Sequence, residues 1–253
     1  MGYFFRTLIT VMPAHTPQDF KFNTFDENKV EYLSDGDFDR HFGYLVDEGH
    51  FDESTLLKDC YFKPLTDEAQ VLAFKELMEA DEKTYPLSAF DRKRRSSKET
   101  DPLNWRVYDY VGAFENPDDI QPMGVMLLSR WVYMYDPEDW YDEDGLAELP
   151  EVLDPALEDV HCVIKVEAVY VREAYRRRGV GSYLARFCAD LVTDDMENLN
   201  KLQTKERPLE IEVAADWDTP GGEHVSTNFY RVLEFRADPD EFEAIKLIFS
   251  MSP

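Results

Sequence analysis

The residues that could do chemistry gather around one turn. Between the apolar run VIKVEAVYV (163–171) and the helix-spaced YLARFCADLV lies EAYRRRGVGS, which carries Arg176, Arg177, Arg178, Gly179, Val180, Gly181 and Ser182. A strand feeding a basic, glycine-containing turn that opens a helix is an anion site with a physical cause. The first N–H groups of a helix lack internal partners and sit at its positive end, and glycine lets a phosphate approach the backbone. Such short glycine patterns also occur as ordinary turns, so the flanks decide. A carboxylate stands nearby: Glu167 is the only one between Val160 and Val171. In a buried strand it is either functional or placed at an edge. Glu212 and Asp216, in and after PLEIEVAA, are alternatives for the same role.

The elements that must position these groups are readable in outline. YFKPL (61–65) reads as a short strand. Thr66 then offers an N-cap to a helix with apolar residues at Val71, Leu72, Phe74, Leu77 and Met78. Two strand-like runs, 105–114 and 123–135, are joined by the turn-rich ENPDDIQP as an antiparallel hairpin. The central strand, turn and helix follow, the helix fading near Asn200. The segment 208–215 reads as a strand, DWDTPGGEHV as a loop, 226–233 as a helix and 244–251 as a last strand. The order from Tyr61 onward is β-α-β-β-β-α-β-α-β, a mixed α/β (α+β) domain over 59–253. Residues 1–58 read as an N-terminal extension packed on it, with a strand over 3–12 and a short helix over 38–46.

Composition bounds the partners. A chain of 253 residues with a 43% hydrophobic fraction buries a full core. The formal net charge of −26 disfavours nucleic acid and anionic membrane, both polyanions, and favours cationic partners. No Lys or Arg occurs from Asp136 to Val160, and this acidic stretch reads as a solvated loop. Arg92–Arg95 lie in a polar loop, either solvated or reaching phosphates. Cys60, Cys162 and Cys188 are widely spaced, which suggests reduced, buried thiols and a cytoplasmic setting. No zinc spacing, EF-hand or P-loop is present, so no metal is expected. The N-terminal apolar run is too short for a signal peptide or a membrane span, and Arg6 replaces the hydroxyl residue of a myristoylation site.

The run from Val171 to Gly181, VREAYRRRGVG, resembles the acetyl-CoA loop of the GNAT N-acyltransferase superfamily, whose core is [QR]-x-x-G-x-[GA]. Arg176, Gly179 and Gly181 fill that core, and Val171 and Tyr175 fit its flanks. Glu173 stands where the family usually has Pro, and Arg177 where it usually has Gly. A second segment, STNFYRVLEF (226–235), resembles the family's A-x-x-[FL]-Y-x-x-x-G-F at Phe229, Tyr230 and Phe235, and departs from it at Ser226 and Glu234.

The resemblance implies a GNAT-like, mostly antiparallel sheet flanked by helices. It also implies transfer of an acetyl group from acetyl-CoA to a primary amine. The backbone of Arg176–Ser182 would then hold the pyrophosphate, and Val169, Tyr170 and Val171 would take the pantetheine arm, with an N–H near Val169 or Tyr170 facing the thioester carbonyl. Asn228 would complete the cofactor site and Tyr230 would protonate the leaving thiolate. For the base, Glu167 with Lys165 as its pair, Glu212, Asp216 and a water relay all remain open. The acidic stretch implies a cationic acceptor, either a small amine or a protein amino group. A homodimer is one assembly the resemblance allows. The competing reading is a GNAT-shaped protein without catalysis, whose acidic surface binds or inhibits a partner.

Overall fold

A computed structural model describes residues 31–34, 57, 59–65, 68–81, 104–133, 161–201, 209–217, 219–237, 240 and 242–252. The strand expected over 3–12, the helix over 38–46, the Arg92–Arg95 loop and the acidic stretch 136–160 lie outside them. Seven strands form one sheet in sequence order: β1 (Glu31–Ser34), β2 (Asp59–Pro64), β3 (Asn104–Phe114), β4 (Gly124–Tyr133), β5 (His161–Val171), β6 (Leu209–Asp216) and β7 (Ile245–Ser252). Neighbours from β1 to β5 pair antiparallel, whereas β5–β6 and β6–β7 pair parallel. A mixed, mostly antiparallel sheet flanked by helices is therefore the architecture. The sequence between 1 and 58 is not merely packed against this sheet, because β1 supplies its first strand.

Among the described residues, three α-helices cover the sheet: α1 (Glu68–Asp81), α2 (Val180–Asn200) and α3 (Pro220–Arg236). Phe74 and Met78 of α1 pack with Leu65, Tyr108, Tyr110, Val125 and Leu127 on one face. On the other, α2 and α3 pack Tyr183, Leu184, Phe229 and Leu233 against Val111, Met126, Leu128 and Val213. The apolar stripe of α1 is narrower than its spacing predicts, since Leu72 is 58% exposed. All three cysteines are buried and free. Burial holds their thiols in the neutral form, well above the ordinary range. Among the described residues no helix is long and apolar enough to cross a membrane.

Helix α3 starts earlier than its periodicity predicts. Thr219 caps it, its hydroxyl oxygen accepting from the Gly222 N–H at 3.1 Å, and Pro220 occupies the first turn. Thr-Pro is a helix start signal that outweighs the two glycines after it. The segment expected as loop is thus the first turn of a helix aimed at the end of β5.

One buried ionic group ties sheet to helix. Arg130 of β4 is 0% exposed and bonds Asp109 of β3 through Nε at 3.1 Å and Nη2 at 2.5 Å. It also bonds Asp195 of α2. The guanidinium fork supplies donors to both carboxylates, so none of the three charges is buried alone.

Candidate functional site

The site is made by a change of phase in β5. Pairing with β4 runs from His161 to Val171 but shifts register between Leu127 and Leu128: Leu127 pairs with Ala168 and Leu128 with Val166. Glu167 is the extra residue of a β-bulge. Before it, Cys162, Ile164 and Val166 face the α2/α3 core. After it, Ala168 and Tyr170 face the α1 side, while Val169 and Val171 pack toward α2 and α3. Pairing with β6 ends at Val166↔Ala215, so β5 continues for five residues after the two parallel strands part.

A cleft of about 860 Å³ opens there, walled by Val169, Tyr170 and Val171 on one side and by the first turns of α2 and α3 on the others. Arg172 leads into a short 3-10 turn, Glu173–Tyr175, and then into the basic segment. Two residues of that segment are left-handed: Arg177 at φ 62° and Gly179 at φ 83°. Gly179 precedes α2 as its N-cap, offers no side-chain cap, and no acidic residue follows in the first turn. The N–H groups of that turn therefore meet no carboxylate from their own turn. Gly181 is required by packing, since a Cβ there would lie 2.8 Å from Val225 Cγ2 on α3.

The turn is braced from behind. Arg176 Nε donates to the Val171 carbonyl at 3.0 Å. The Leu57 N–H donates to the Arg178 carbonyl at 3.2 Å, and the Tyr183 hydroxyl donates to the Leu57 carbonyl at 3.2 Å. Leu57 is buried in the main core, which its place between β1 and β2 gave no reason to expect.

Of the residues singled out by sequence, Val169, Tyr170, Val171, Arg176, Arg177, Gly179, Val180, Gly181, Ser182 and Asn228 all line the cleft. Arg178 does not. Its guanidinium lies over the Tyr175 ring and 3.8 Å from Glu115. Tyr230 and Glu167 also lie outside the cleft lining. The Tyr230 hydroxyl donates to the Ser250 carbonyl of β7 at 3.1 Å, and its ring meets Phe249 edge-on. Burial first, and then the charges of Asp216 and Glu212, push its phenol well above the ordinary value. Glu167 accepts from the buried Ser129 hydroxyl at 2.6 Å. Lys165 does not pair with it. The bulge separates them, and Lys165 reaches Asp216 at 2.6 Å instead. Phe235 is 76% exposed at the end of α3.

Sequence reasoning missed the polar side chains that α3 and its cap bring to the cleft, among them Thr219, Glu223, His224, Thr227 and Arg231. Reading Thr219-Pro220 as a helix start would have placed His224, Thr227, Asn228 and Arg231 on one helical face. No family model matches the chain, no curated protein matches it, and no solved structure matches it.

Proposed function

We propose that the chain is an acyl-CoA-dependent N-acyltransferase of GNAT type that moves an acetyl group from acetyl-CoA to a primary amine of a cationic acceptor. One observation carries the reading: the parting of β5 from β6 leads without a break into the Arg176–Ser182 turn. A ligand with a diphosphate at one end and an amide-bearing arm at the other matches that sequence of surfaces. Its diphosphate lies against the first turn of α2, with Arg176 and Arg177 alongside. Its arm runs past Val169–Val171 toward the bulge.

The chemistry is then acyl transfer. A neutral amine attacks the thioester carbon, the carbonyl oxygen takes negative charge, and the C–S bond breaks. The amine proton leaves and the thiolate gains one. Tyr230 keeps its proton throughout the neutral range, as a thiolate donor must, and its hydroxyl has to turn away from Ser250 to serve. Glu167, Glu212 and Asp216 are the carboxylates around the parting from which a base is drawn. The net charge of −26 favours an ammonium-bearing acceptor over an anionic one.

The engagement of the Tyr230 hydroxyl with Ser250 supports a second reading, in which the protein binds acyl-CoA without transferring the acyl group. Two measurements separate them. Acetyl-CoA at sub-millimolar concentration is expected to raise the melting temperature by several degrees. With a linear polyamine or a basic peptide added, free thiol should accumulate as CoA is released. Stabilisation without thiol release selects the binding protein, and no stabilisation by any acyl-CoA removes both readings.

A further inference from the structure

We propose that His224 is a ligand-contacting residue of the cleft whose Nε2 is held by Asn228 in either charge state, so that an anionic ligand binds with uptake of a proton on its imidazole. The inference rests on acyl-CoA occupying the cleft.

Asn228 is 1% exposed and sits one helical turn after His224 on α3. Its Nδ2 lies 3.1 Å from Ser182 Oγ in the first turn of α2 and 3.2 Å from His224 Nε2. An amide nitrogen carries two protons, and here one goes to each partner. With the amide in this orientation Nε2 accepts, and the neutral ring carries its proton on Nδ1. Ser182, itself 1% exposed, accepts from Asn228 and keeps its own proton to donate to a ligand.

A proton arriving on Nε2 would face another donor. A half-turn of the amide removes the conflict, because Oδ1 then accepts from both Nε2–H and the Ser182 hydroxyl. Nε2 therefore keeps its hydrogen bond to Asn228 in both charge states of the ring. Among the described residues, the charged groups lining the cleft are Arg176 and Arg177 from the turn and Glu223 and Arg231 from α3. The β5 wall adds Val169, Tyr170 and Val171, which carry no charge. An ordinary imidazole is mostly neutral at pH 7, and a diphosphate held against this lining favours its charged form. By linkage, protonating His224 must then tighten binding.

Isothermal titration of the full chain with CoA tests this. Runs at pH 7 in two buffers of different ionisation enthalpy are expected to show a larger proton uptake by the wild type than by His224→Gln, the difference being a fraction of a proton. Between pH 8 and pH 6, the wild-type Kd should fall about fivefold relative to that of His224→Gln, a comparison in which the ligand's own phosphate ionisation cancels. Equal proton counts in the two proteins, with CoA bound by both, overturn the role of His224 and leave the acyl-CoA reading standing. No binding of CoA at any pH overturns both.

Discussion

Arg177 holds a left-handed backbone that a side chain with a Cβ adopts at a penalty of about 1–2 kcal/mol. The family resemblance implies glycine at this position, and Arg177 adds a guanidinium to the cleft lining that glycine would lack. Arg177→Gly should therefore raise the melting temperature by about 1–3 °C and weaken CoA severalfold. Thermal denaturation and titration of the same protein sample check both directions. A parallel fall in stability and affinity would mean that the arginine is structural. At this scale the sequence was legible where spacing speaks: Arg176, Gly179 and Gly181 come together in the cleft lining at the start of α2. Tyr230 shows the limit, since helical spacing gives its side of α3 but not the Ser250 carbonyl its hydroxyl meets.

Among elements, the order of strands and helices from β2 to β7 follows from apolar periodicity, with ends displaced by a few residues. Three features did not follow, each for a physical reason. The apolar alternation of β5 runs unbroken through Ala168 and Tyr170 because both sheet faces are covered there, so the bulge leaves no mark in the pattern. The first turn of α3 hid behind Gly221 and Gly222. The ionic group of Arg130 hid because Asp109, Arg130 and Asp195 are far apart in sequence, and each reads as a surface charge. Arg130→Met leaves Asp109 and Asp195 buried and facing each other, and should destabilise the fold by about 3–5 kcal/mol in urea titration. Replacing all three by apolar residues of similar volume should recover most of that loss, because no uncompensated charge then remains in the core.

Over the whole molecule, a net charge of −26 sets a repulsion that folding must overcome. Added salt screens it, so the melting temperature should rise by several degrees between about 20 and 300 mM sodium chloride. A guest with a diphosphate needs a local exception to that field, and the basic turn, the two helix starts and Arg231 supply one. Composition showed the global sign, and the Arg176–Arg178 run showed one part of the exception. The contribution of α3 emerges only when the parting of β5 and β6 brings its first turn across from the α2 start.

The bulge at Glu167 has a further consequence. Val166 pairs with Leu128 and Ala168 with Leu127, so Glu167 alone is surplus to the β4 ladder. Deleting it would leave every other partner and every facing side chain of β5 where it is. The strand would straighten, and its last residues would lie alongside the line of β6 instead of diverging from it. The cleft is thus a one-residue insertion in an otherwise regular sheet. A chain lacking Glu167 should fold with a loss of about 1–2 kcal/mol, the buried Ser129 hydroxyl having lost its acceptor, and no longer bind CoA, whereas Glu167→Gln should bind it normally.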